Sequence, residues 1–185
     1  MIYKNPVIES SYGVNDIGKT LYDLVLEKKP KKIVEFGCLF GYSTVAMAMA
    51  LDEIGQGKIV VYDLWEKYPY KHSTREQTLK NIELYGLLKY VELKNVDYYK
   101  WIKKPEQFDI LHVDISNTGE VIELLYSGTK DQIETGSIVI FEGGTVERDN
   151  VEWMKKYKRK NIVGCGVPFE VIRPEFPGLS KILHK

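Results

Sequence analysis

Five short apolar runs, each followed by a segment of helical periodicity, constrain this chain more than any other feature. They are KKIVEF from residue 31, KIVVYDL from 58, KYVELKNV from 89, FDILHVDI from 108 and GSIVIFEGG from 136. The fourth is almost wholly apolar, as a strand covered on both faces must be. Upstream, Val14, Ile17, Leu21, Leu24 and Val25 recur at helical spacing, which predicts a helix over 14–28 that Pro30 ends. STVAMAMAL reads as a helix stopped by the GQG at 55–57. Ser73, with Glu76 three residues on, has capping-box spacing; Leu79, Ile82 and Tyr85 continue that helix to Gly86. GEVIELLYSGTKDQI is helical, and a short helix follows Arg148 to Tyr157. NIVGCG and FEVIRP read as a closing pair of strands, one of them antiparallel. Strand and helix alternating in this way predict an α/β fold, a doubly wound, mostly parallel sheet with helices on both faces.

A chain of 185 residues is of single-domain size. Residues 1–185 are therefore read as one unit, with a helical segment over 1–30, a core over 31–145 and C-terminal strands and tail over 146–185. Lys and Arg total 26, as do Asp and Glu. This balance gives no electrostatic footprint for nucleic acid or an anionic membrane, so neither partner is expected. KKYKRK, residues 155–160, reads as a solvated face. Two cysteines make no disulfide framework, and MIYKNPVIESSYG lacks the apolar core of a signal peptide. The default expectation is a cytoplasmic protein.

Open α/β sheets bind ligands at the carboxyl ends of their strands. Each apolar run delivers an acid there, in order Glu35, Asp63, Asp97, Asp114 and Glu142, with His112 just inside the fourth. Converging carboxylates repel unless a ligand or metal shares the site. The loop after the first strand excludes two common ligands. No Lys follows Gly41, so it is no Walker A loop, and only Gly37 and Gly41 are present where a dinucleotide fingerprint needs three glycines. What remains is backbone close to a compact ligand, with the N–H groups of Tyr42 to Thr44 free for a carboxylate. Asp63 is placed for the two hydroxyls of a ribose. Carboxylate, ribose and a cationic centre together describe S-adenosylmethionine.

These residues resemble the class I S-adenosylmethionine-dependent methyltransferases, and more narrowly their small-molecule O-methyltransferase branch with its family-24 relatives. The resemblance is carried by IVEFGCLFGYST, VVYDLW, TLKNIELYGLLKYVELKNVD, FDILHVDISN and IETGSIVIF, in order over residues 10–145. It implies the Rossmann-like fold of that class. Glu35, Gly37, Gly41 and Ser43 would surround the methionine part, with Tyr42 beside them. Asp63 would hold the ribose, Leu64 and Trp65 would lie against the adenine, and Val96, Asp97 and Tyr98 would border it. Plain alternatives are core packing for Trp65 and Tyr98 and a helix cap for Ser43.

The resemblance also implies methyl transfer to a hydroxyl or amine of a small-molecule acceptor. Relatives of this kind bind a divalent metal through an acid after the fourth strand and an Asp-Asn pair after the fifth. Asp114 matches the first ligand, Glu142 stands for the Asp, and Gly143 occupies the Asn position. Mg²⁺ held by Asp114 and Glu142, with Asn117 as a third group, is one reading. In the other, Asp114 and Glu142 meet the acceptor directly, and Asp114, His112 or His72 is the general base. A lone His inside an apolar strand is more commonly a core residue, which favours His72 over His112. In EGGTVERDN, Glu147, Arg148 and Asp149 either cap a helix or line the acceptor pocket. Competing functions are a non-catalytic S-adenosylmethionine binder or accessory subunit, and a nicotinamide-dependent oxidoreductase. With little chain beyond the core to grip an acceptor, pairing as a homodimer is left open.

Overall fold

A computed structural model describes residues 2–69 and 73–184. Its seven strands are β1 (Lys32–Phe36), β2 (Lys58–Asp63), β3 (Val91–Asn95), β4 (Ile110–Val113), β5 (Ile138–Glu142), β6 (Phe169–Arg173) and β7 (Leu179–Ile182). They form one sheet in the order β3-β2-β1-β4-β5-β7-β6. The first five are parallel, and β7 runs antiparallel to both β5 and β6. The expected fold class is the observed one.

Alternation along the strands sorts their side chains into two cores. Ile33, Ile59, Val61 and Ile140 face one way, against α1 (Ile17–Lys28) and α2 (Tyr42–Ile54). Val34, Phe36, Val60, Leu111, Val113, Val139 and Phe141 face the other, against α4 (Tyr98–Trp101) and α5 (Gly119–Glu134). α2 is buried along nearly its whole length, which its Ala- and Met-rich sequence permits. α3 (Arg75–Leu84) leads into β3, while α6 (Val146–Asp149) and α7 (Glu152–Lys156) follow β5. No helix among the described residues is long and apolar enough to cross a membrane.

Local departures from the sequence reading have identifiable causes. Asp16 adopts a left-handed conformation, φ 49°, so a 3₁₀ turn over Gly13–Asn15 precedes α1 and leaves Val14 exposed. The cap of α3 is Thr74 rather than Ser73: its hydroxyl accepts from the Gln77 N–H while the Gln77 side chain accepts from the Thr74 N–H. STRE and TREQ both satisfy the pattern, and packing chose the second, which buries Thr78 beneath Trp65. NIVGCG forms turns instead of a strand, with Gly164 and Gly166 at positive φ. The antiparallel partner of FEVIRP is LSKI, β7, a four-residue run too short to register in the sequence.

Candidate functional site

The strand order reverses between β1 and β4, and a cavity of about 460 Å³ lies at the carboxyl ends beside that switch. It sits within the usual size range for small-ligand sites. Gly37 sets its floor. With φ +77°, a Cβ there would lie 1.8 Å from the Asp114 carbonyl oxygen, so the β1 and β4 ends approach only because this residue is glycine. The aromatic wall is built from Phe36, Tyr62, Tyr98 and Tyr99. Phe36 stacks on Tyr62 at 5.0 Å and meets Tyr98 edge-on at 5.3 Å. Tyr98 keeps a buried hydroxyl with no partner among the described residues.

Of the expected cofactor residues, Gly37, Ser43, Asp63, Leu64, Val96, Asp97, Tyr98 and Asp114 all line this cavity. Asp63 also organises it: its two carboxylate oxygens accept from the backbone N–H of Cys38 and of Trp65, each at 2.9 Å. Asp97 caps α4, accepting from the Tyr99 N–H at 2.7 Å. Four expected residues lie elsewhere. Gly41, φ +94°, caps α2 behind the loop. The Tyr42 hydroxyl donates to Asn5 at 2.6 Å, in the core beneath Tyr12. Trp65 is buried and donates to Thr78, so its alternative reading as core holds.

Glu35 is the fourth and the most informative. It pairs in register with His112 on the neighbouring strand, so both side chains point to the α2 side of the sheet. There the carboxylate accepts from Ser43 Oγ, from Thr44 Oγ1 and from His112 Nδ1 at 3.0 Å. A fully buried carboxylate needs such donors to offset its desolvation. Glu35 is thus a support under the site, removed from the cavity wall. His112, also fully buried, is held between Glu35 and Tyr12, whose hydroxyl lies 3.3 Å from Nε2. Burial, and then the charge of Asp114, push the Tyr12 hydroxyl well above its ordinary range. The sequence offered no signal for Tyr12, which arrives from the segment before α1.

Asp114 lines this cavity and a second of about 350 Å³ next to it, with Ser11, Ile115 and Ser116 shared between them. Burial and then the charge of Glu142 push its carboxyl up to about 7, against the pull of His112 and Arg148. It can therefore take and release a proton near neutrality. The second cavity continues to Glu142, Arg148, Val151, Trp153, Phe176 and Pro177.

The metal reading meets a competitor here. Both oxygens of Glu142 are engaged by Arg148, through Nε and, at 3.0 Å, through Nη2. Burial raises the Glu142 carboxyl and the guanidinium draws it back. Gly143 offers no ligand. The Asn117 amide donates to the Val113 and Glu142 carbonyls at 2.9 Å each. No cluster of three or more His, Cys, Asp or Glu that could hold a metal occurs among the described residues. The groups present do not fit a divalent cation, because Glu142, the second acid of the set, is already paired with Arg148. Asp149 accepts from the Ile162 and Val163 N–H groups, and Glu147 is exposed, so of the three residues in that loop only Arg148 faces the site. His72 lies outside the described residues.

A doubly wound sheet whose last strand inserts antiparallel beside β5, with its cavity at the β1/β4 switch, has the class I methyltransferase architecture. Residues 34–142 match the family model described as "Methyltransferase domain", and the chain belongs to that family. No curated protein matches it significantly. Similar solved structures include cofactor-bound Rv0187 from MTB, at 18% identity over 97% of this chain and 83% of that one, TM-score 0.64. The S-adenosylhomocysteine-bound methyltransferase PaMTH1 of Podospora anserina is 17% identical over 96% and 80%, TM-score 0.62. The O-methyltransferase TomG of Streptomyces achromogenes, involved in tomaymycin synthesis and solved with S-adenosylmethionine, is 16% identical over 92% and 80%, TM-score 0.59.

Proposed function

We propose that this methyltransferase takes its methyl group from S-adenosylmethionine and places it on a hydroxyl of a small-molecule acceptor. The observation that carries the reading is the position of Asp114, on the boundary of two adjoining cavities and poised to titrate near neutrality. The first cavity fits the cofactor. Aromatic rings suit an adenine, the acids at the β2 and β3 ends suit hydroxyls and an amine, and the buried Tyr98 hydroxyl has bonding capacity to spare. Structures solved with S-adenosylmethionine or S-adenosylhomocysteine share the fold. When bound, the cofactor supplies an electrophilic methyl on a sulfonium.

The remaining work belongs to the chain. The β1–α2 loop and the β4 end hold the two ligands on either side of Asp114, and proximity of this kind is worth up to roughly 7–11 kcal/mol in favourable cases. Asp114 accepts the acceptor's proton, at the β4 end whose neighbouring His112 is held between Glu35 and Tyr12. We further propose a cytoplasmic setting, in keeping with two buried, unpaired cysteines.

Calorimetric titration with S-adenosylhomocysteine, S-adenosylmethionine and NADH tests the cofactor. The two adenosyl compounds should bind saturably, and Asp63→Asn should weaken both by at least about tenfold, since an amide cannot accept at both oxygens. Tight NADH binding with no adenosyl binding would overturn the reading.

A further inference from the structure

The second cavity carries more information than its proximity to the cofactor. Arg148 is 5% exposed, its Cζ lies 5.1 Å from the Trp153 ring centroid, and two of its nitrogens are fixed on Glu142. The third, Nη1, is buried with no partner among the described residues. A buried donor left unmatched in this way weakens the fold. Such a cost persists in a site that uses it. The local sequence explains how Arg148 gets there. Gly143, φ +107°, opens the turn after β5, where a Cβ would lie 2.9 Å from Ile162 Cδ1 and in ordinary contact, 3.4 Å, with Arg148 Cγ. Thr145 then caps α6, accepting from the Arg148 N–H at 3.2 Å.

We propose that Arg148 is the cation of the acceptor site: Nη1 receives the oxygen of an acidic, planar hydroxyl compound, of phenol or enol type, whose ring packs among Trp153, Phe176 and Pro177. This deepens the methyltransferase reading and rests on it. As the acceptor's O–H proton passes to Asp114, the oxygen becomes an anion beside a fixed positive charge. Its lone pair then forms the new C–O bond to the methyl, the C–S bond breaks, and the sulfur keeps that electron pair. Glu142 holds the guanidinium and takes no proton. The site works without an added divalent ion because the guanidinium occupies that electrostatic role.

4-Nitrophenol tests this directly, since its anion absorbs visibly and reports ionisation of the bound probe. With EDTA present, the protein, free or loaded with S-adenosylhomocysteine, should bind the phenolate and ionise it at a pH below that of free probe. Added Mg²⁺ should change nothing. Arg148→Met combined with Glu142→Gln removes both charges together, so neither is stranded. It should weaken phenolate binding by about tenfold or more and abolish the ionisation shift, while S-adenosylhomocysteine affinity stays as in the parent. Unchanged phenolate binding in the double variant, or ionisation that appears only with Mg²⁺, overturns the proposal. Should the double variant fail to fold, Arg148→Lys decides: a retained shift supports the proposal and a lost one sinks it. A protein that binds phenolate but no S-adenosylhomocysteine defeats the methyltransferase reading alone. The reverse result defeats the arginine site alone.

Discussion

Asp114 and Glu142 show how far a side chain's chemistry depends on neighbours that arrive from elsewhere in the chain. Both close an apolar strand in the sequence and look equivalent. In the fold Glu142 is neutralised by Arg148, while Asp114 has no ion-pair partner among the described residues and feels Glu142's charge. Its folded-state pKa, raised to about 7, has two consequences of opposite sign. The base form is needed for proton removal, so kcat/KM should rise with pH through about 7 and level off, and Asp114→Asn should lose the rate without losing S-adenosylhomocysteine binding. Stability runs the other way. The unfolded carboxyl ionises near 3.9, so the contribution of protonated Asp114 is complete below that value and is lost as pH climbs through about 7. Melting curves from pH 4 to 8 should show the parent falling relative to Asp114→Asn across this window. Parallel curves would mean that Asp114 is ionised throughout.

Among the elements, α3 offers the sharpest comparison, because two adjacent residues satisfy the same capping pattern and only one caps. Thr74→Ala removes the hydroxyl that accepts from Gln77 and should cost about 1 kcal/mol. For a chain of this size that is about 2–4 °C in melting temperature. The Ser73 hydroxyl is buried with no partner among the described residues, so Ser73→Ala should be neutral or slightly stabilising. The reverse order in calorimetry would put the cap at Ser73 after all. The β1–α2 connection is a contrasting case. There the spacing of Gly37 and Gly41 was legible because each glycine has a positive φ, one for a close strand approach and one for a helix start.

For the whole molecule, the sheet order predicts how stability is distributed. β1 and β4 are central and covered on both faces, whereas β3 and β6 are edges with exposed residues. Native-state hydrogen exchange should find the amides of Val34, Leu111 and Val139 slowest and those of β6 among the fastest, because local opening grades from near zero up to the global free energy. Uniform protection across the seven strands would contradict this. β7 has a particular part in the architecture. Ser180 Oγ donates to the Gly143 carbonyl at 2.7 Å, and the Gly178 carbonyl accepts from the Gly143 N–H at 3.1 Å, so the C-terminal hairpin pins the turn that carries Arg148.

The alternating fold, the five parallel strands and eight of the residues lining the first cavity could be read from the chain alone. Parallel strands buried on both faces must be nearly continuous in apolar residues, and Gly37, Asp63, Asp97 and Asp114 occupy strand ends that the fold class turns towards one crevice. The partition of the remaining residues could not be read in this way. Whether Glu35 touches a ligand depends on His112, 77 positions away, and the position of Tyr12 depends on contacts 100 residues distant. The fate of Glu142 turned on Arg148, which the turn after β5 brings back onto its carboxylate. Local periodicity records which face a residue presents, while the partner on that face is set by tertiary packing, and the partner determines whether an acid binds, supports or catalyses.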